Sequence, residues 1–255
     1  MIKLTLAAVA AIVAAGALTM SAAGASGGPP SKPAATPPTL NAGSAPAYEP
    51  QLRPADFSVV VDNPYFPLPV GRTWVYRGVR DGQTQIDRVT VTSKTKLVAE
   101  GITARVVRDV ATHNGKLLEK TADWYAQDNH GNVWYVGEDT TAFLPNGQTD
   151  KSGSWEAGVN DAEPGIVMLA NPQIPDAYRQ EFLAGEAEDT AWIINRGGSV
   201  SAPIGTFQHA LRTLEFARIE PGVVDQKVYA PGIGIVSERA LTGPQEVSNL
   251  VRMSG

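Results

Sequence analysis

The chain of 255 residues carries 21 Lys and Arg against 26 Asp and Glu, a formal charge of −5, and no cysteine. That balance supplies no basic surface for phosphate backbones or for anionic lipid headgroups. Without cysteine there is no disulfide, no thiolate metal site, no cysteine nucleophile and no lipidated cysteine to serve as a stable membrane anchor.

Residues 1–25 read as a secretory signal peptide: Lys3 gives the positive start, Leu4 to Met20 the apolar stretch, and Ala23-Gly24-Ala25 a small-residue cleavage site. Cleavage after Ala25 removes Lys3 and leaves the mature chain one unit more negative, in the periplasm or the medium. Residues 26–54 are rich in Pro, Ala and Ser and nearly free of large apolar side chains. Such a stretch cannot offset its ordering entropy and reads as a disordered tether. From residue 55 to 255 a single β domain is expected. Runs such as Thr73-Trp74-Val75-Tyr76, Asp87-Arg88-Val89-Thr90-Val91-Thr92 and Val133-Trp134-Tyr135-Val136 alternate or concentrate β-branched and aromatic residues. Asp81-Gly82, Asn114-Gly115, Gly131-Asn132 and Asn146-Gly147 supply tight hairpin turns between such runs.

The landmarks Trp74, Gly101, Arg108 and Tyr125-Ala126 recur as Tyr178, Gly205, Arg212 and Tyr229-Ala230, with the same separations of 27, 7 and 17. They predict two pseudo-repeats, about 63–140 and 171–240, joined by a covering segment at 141–170. The fold class is therefore mainly β, an antiparallel curved sheet or half-barrel built from two similar meander halves, with little helix. Each half alone buries too little surface to stand by itself. Pro175 to Ala184 also fits a short helix, but strand is preferred because its partner around Trp74 alternates.

Asn63-Pro64-Tyr65-Phe66-Pro67-Leu68 through Gly71, Trp74 and Tyr76 resembles the opening strand of a broad group of poorly characterised bacterial exported proteins and lipoproteins. Trp124-Tyr125-Ala126-Gln127-Asp128 with Gly131 to Tyr135 resembles their middle hairpin. Pro203, Gly205-Thr206-Phe207 and Tyr229 to Val236 resemble the closing one. The resemblance implies an extracytoplasmic β-sheet protein, similar in fold to carriers of the LolA and LolB type. It brings no catalytic residues with it.

The residues themselves offer few catalytic patterns. His113, His130 and His209 form no metal-binding spacing, Gly153-Ser154-Trp155-Glu156 is not a nucleophile elbow, and Gly232-Ile233-Gly234-Ile235 lacks the third glycine of a dinucleotide fingerprint. A concave sheet face instead suits an apolar ligand, with Trp155, Trp134, Tyr178, Phe182 and Trp192 as its candidate contacts. Carboxylates offer a second possibility: Glu138, Asp139, Glu186, Glu188 and Asp189 are candidate oxygen ligands for Ca²⁺. The leading reading is an exported non-catalytic binding protein for an apolar small molecule, lipid or envelope component. The alternatives are a divalent-metal module and an envelope protein-interaction domain, and a hydrolase has least support.

Overall fold

The computed structural model describes residues 48–80 and 82–255; the expected signal peptide and the tether as far as residue 47 lie outside the described residues. After a 3-10 turn over Pro54–Asp56 the chain forms β1 (Phe57–Ser58), β2 (Thr73–Arg80), β3 (Gln83–Leu97), β4 (Thr103–His113), β5 (Lys116–Asp128) and β6 (Val133–Phe143). Short strands follow: β7 (Thr149–Asp150), β8 (Trp155–Glu156), β9 (Glu163–Met168), β10 (Ala177–Arg179) and β11 (Glu181–Phe182). The last are β12 (Asp189–Ala202), β13 (Gly205–Ala217), β14 (Val224–Ala230), β15 (Gly234–Thr242) and β16 (Glu246–Ser254). No α-helix occurs among the described residues, and none there is long and apolar enough to cross a membrane.

All the strand pairs are antiparallel, and the sheet runs β10-β12-β13-β14-β15-β16-β2-β3-β4-β5-β6-β9-β11. Its two ends meet on one stretch of chain. Ala177 to Arg179 pair with β12, Glu181 and Phe182 pair with β9, and Gln180 between them donates its N–H to the Asp189 carbonyl at 2.7 Å. Gly165 on β9 lies so close to Gln180 that a Cβ there would collide with the Gln180 carbonyl. The expected half-barrel is therefore a sheet nearly closed into a barrel, which leaves few unpaired edges.

Hairpin turns form where small and amide residues allow positive φ: Asn114 and Gly115 sit at 49° and 77° between β4 and β5. Pro175 to Ala184 contains strands β10 and β11. Segment 63–68, expected as part of an opening strand motif, precedes β2 and plugs one end of the barrel, since Pro64 and Pro67 offer no N–H to a ladder. The Phe66 ring packs tilted against Tyr125 with centroids 5.2 Å apart, the Pro64 carbonyl accepts from Gly232 N–H at 2.7 Å, and the Tyr65 hydroxyl donates to the His209 carbonyl at 3.0 Å.

Burying a ring such as Phe66 contributes roughly 1.5–3 kcal/mol. Beside Phe66, Trp74 and Tyr76 lies a gap of about 20 Å³. The packed domain also reaches back into the expected tether. Tyr48 donates its hydroxyl to the Pro164 carbonyl at 2.9 Å and sets its ring edge-on to Phe182 at 5.9 Å.

Candidate functional site

Beyond the apolar end, the inward positions change character. On β3 the buried phase that holds Val89 and Val91 also holds Asp87; on β4 the phase of Val107 holds Asp109; on β5 the phase of Tyr125 holds Asp123. Strand period 2 places each of these acids on the barrel's inner face. Pairing then brings them into neighbouring rows: Asp109 faces Val89, Asp123 faces Val107, and Asp123 faces Glu138 on β6. Glu181, Asp189, Glu215, Lys227 and Glu238 are likewise buried, on β11, β12, β13, β14 and β15.

Mutual electrostatic neighbours run right around the barrel. Asp87 meets Asp109, Asp109 meets Asp123, and Asp123 meets Glu138. Glu138 meets Glu181, Glu181 meets Asp189, and Asp189 meets Glu215 and Lys227. Glu238 stands beside Lys227 and closes the belt on Asp87. Eight carboxyl groups thus share a buried belt with one ammonium.

Eight ionised carboxylates in that interior would repel one another and forgo hydration, so protons are retained instead. Burial, then neighbouring acids, pushes Asp87, Glu138 and Glu181 well up. Burial likewise raises Asp123 to about 8 and Asp189 to about 7. Glu119, one layer nearer the β4–β5 turn, rises to about 8 for the same reason. Neither Asp87 oxygen meets an N–H or O–H donor, and the carboxyl facing it belongs to Asp109, so a bond between the two requires a shared proton. Glu181 and Asp189 form a second such pair. Both resemble the carboxyl dyads in which one proton serves two acids.

Lys227 is the exception. Burial pulls its pKa down, but Glu215 at 2.6 Å and Glu238 at 3.8 Å outweigh that and hold it above its usual value. Tyr229 and Thr213 donate to the same Glu215 oxygen at 3.1 and 2.8 Å. Toward the turn end, Arg80 pairs with Glu246 at 3.7 Å between the belt and solvent.

The candidate aromatic contacts do not line one pocket. Trp155 is buried edge-on to Tyr135 at 5.2 Å, its indole N–H near Glu181 without closing a hydrogen bond. Tyr178 borders the belt beside Glu215 and Lys227. Trp134 donates to Asp128 at 2.9 Å, Trp192 is exposed and donates to the Pro175 carbonyl, and Phe182 lies under Arg179.

The candidate metal ligands are also dispersed. Glu138 and Asp189 join the belt, whereas Asp139 pairs with Lys151 at the surface. Glu188 accepts from Gly185 N–H and pairs with Arg218, and Glu186 lies half-exposed in the turn before β12. Adjacent residues on one strand point to opposite faces, which separates Glu138 from Asp139. Among the described residues no three of His, Asp and Glu are placed to hold a metal ion. Asp87, Asp109, Glu215, Lys227 and Glu238 were not among the candidates; the available signal was a charged residue in phase with buried apolar neighbours.

No protein-family model and no curated protein matches the sequence. Two solved structures are similar. One, from Bacteroides fragilis, is described as an exported protein with a YmcC-like fold: 16% identity over 75% of this chain and 99% of that one, TM-score 0.40. The other, from Parabacteroides distasonis, is described as a lipoprotein: 15% identity over 74% of this chain and 98% of that one, TM-score 0.38.

Proposed function

We propose that this chain is an exported, non-catalytic binding protein whose barrel interior takes up a small cation in exchange for protons of the carboxyl belt. The reading is carried by one observation: both buried oxygens of Asp87 and Glu181, and Oδ1 of Asp109 and Oδ2 of Asp123, meet no N–H or O–H donor. Such groups hold either a proton or a cation. A carboxyl dyad is also the equipment of acid–base catalysis, but these residues are buried in the barrel interior. Export follows from the Lys3, Leu4 to Met20 and Ala23-Gly24-Ala25 pattern.

The test is a pH-stat titration of cation-free protein at pH 8 with ammonium, K⁺, Ca²⁺, Mg²⁺ and small amines, alongside melting curves. Proton release together with a rise in Tm for at least one of them is expected. Absence of both for every cation would overturn the reading.

A second reading, retention of an apolar ligand or lipid, is favoured by a groove of about 270 Å³ lined by Val59 to Asp62, Pro67 to Val70 and Arg105. Val60 and Val70 there are 62% and 55% exposed. Native mass spectrometry of protein from its own host tests it: bound lipid that is lost in Val60→Asp supports this reading, and lipid-free protein removes it.

A further inference from the structure

The belt contains its own example of a cation held by carboxylates, and strand register shows where a second cation belongs. On β14 and β15 the pairs run Lys227↔Glu238 and Val228↔Ser237, then slip to Tyr229↔Ile235. On β5 and β6 they run Asp123↔Glu138 and Trp124↔Gly137, then slip in the same way to Tyr125↔Tyr135. On the other side, Glu215 faces Asp225 two positions before Lys227, and Asp109 faces Thr121 two positions before Asp123. Asp189 and Asp87 stand two positions before Ala191 and Val89, which face Glu215 and Asp109. The row Asp189, Glu215, Lys227, Glu238 therefore has a counterpart in Asp87, Asp109, Asp123, Glu138, with Asp123 where the lysine stands.

Resting on the cation reading above, we infer that the row Asp87, Asp109, Asp123, Glu138 is a site for the primary ammonium group of a small amine, which takes the place that Lys227 Nζ fills in the other row. Three observations point there. Lys227 Nζ sits four bonds beyond Cβ between two carboxylates, whereas an aspartate carboxyl ends two bonds from Cβ, so the side chain reaches less far and a further acid takes the place of the ammonium. Several polar atoms around that place lack partners: Tyr135 donates to Asp123 Oδ1 at 3.0 Å, but Asp123 Oδ2, Asp109 Oδ1 and the fully buried Tyr125 hydroxyl have none, although the counterpart Tyr229 donates to Glu215. Finally, no acid trio among the described residues has the placement of a metal site. An ammonium needs hydrogen-bond acceptors at distances like the 2.6 Å of Lys227 to Glu215, not a tight oxygen cage. The Tyr125 and Tyr135 rings, stacked at 5.1 Å, and the edge of Trp155 supply an apolar wall for a short alkyl tail. The amine enters as R–NH₃⁺ and a carboxylic proton leaves to solvent, so charge is conserved.

The test compares methylammonium, n-butylammonium, K⁺ and Ca²⁺ chlorides at matched ionic strength and pH 8, by calorimetric titration and melting curves. An amine is expected to bind at least about tenfold more tightly than K⁺ or Ca²⁺, and Asp123→Asn to weaken it more than about tenfold by removing a buried charged partner. Asp123→Lys, which copies the second row, is expected to melt higher and to lose the response to amines; if that bulkier variant does not fold, Asp123→Asn decides. Binding of K⁺ or Ca²⁺ without amines would overturn the ammonium site and leave the cation reading standing. No response to any cation would overturn both. Amine binding unchanged in Asp123→Asn would place the site elsewhere and overturn this inference alone.

Discussion

The two carboxyl rows line the same barrel and differ at one central position. In the row of Lys227, an ammonium sits between Glu215 and Glu238, and Tyr229 and Thr213 donate to Glu215 Oε1, while Glu238 Oε2 meets no donor. In the row of Asp123, the same register carries a further carboxyl, and protons must do what the lysine does opposite. The difference teaches that a β-barrel can bury many acids in two ways, by an internal counter-ion or by retained protons, and that the second leaves the protein responsive to pH and to external cations.

The largest effect is expected from breaking the lysine row. Lys227→Met leaves two buried carboxyls without their cation and should cost about 3–5 kcal/mol, as removal of one member of a buried ion pair does. Chemical denaturation at pH 7 would show it; a loss below about 1 kcal/mol would mean that the two rows are not different in kind.

The next effect is the pH profile, to which proton-holding acids of both rows and the neighbouring Glu119 contribute. Asp123 and Glu119 rise to about 8 and Asp189 to about 7, from ordinary values of 3.8 to 4.5. The folded state therefore holds protons that the unfolded chain sheds. Stability from these groups is fully present below the unfolded carboxyl range near pH 4 and is lost as pH rises through about 7 to 8. Urea midpoints measured between pH 4.5 and 8.5 without added cations should fall, opposite to the usual acid lability. A midpoint that rises across this interval would contradict the protonated row.

The smallest contrast lies in the two tyrosines. Tyr229→Phe removes a hydrogen bond to Glu215 and should cost about 1 kcal/mol, whereas Tyr125→Phe removes a hydroxyl without a partner and should be neutral or stabilising. Equal losses in the two variants would show that Tyr125 has an acceptor after all.

Much of the architecture was legible because strand and turn signals are local. Val89 and Val91 alternate with polar residues, and Asn114-Gly115 fixes its hairpin. The resemblance that groups 63–68 with an opening strand does not show that Pro64 and Pro67 keep this segment out of the ladder, which begins at Thr73. The belt was far less legible. Asp87, Asp109 and Asp123 each look like a polar position in an alternating run, and only pairing across separate strands shows that they share an interior. The candidate metal set failed for a related reason: neighbours in sequence such as Glu138 and Asp139 are divided by the pleat, whereas Glu138 and Asp189, 51 positions apart, face the same belt.

The central claim, that the acids of the Asp123 row retain protons where the opposite row has a lysine among its acids, is tested most directly by carboxyl ¹³C NMR titration of Asp123 and Glu138 in cation-free protein. The expected result is that both remain protonated at pH 6, with Asp123 titrating near pH 8. Midpoints near pH 4 for both groups would contradict it.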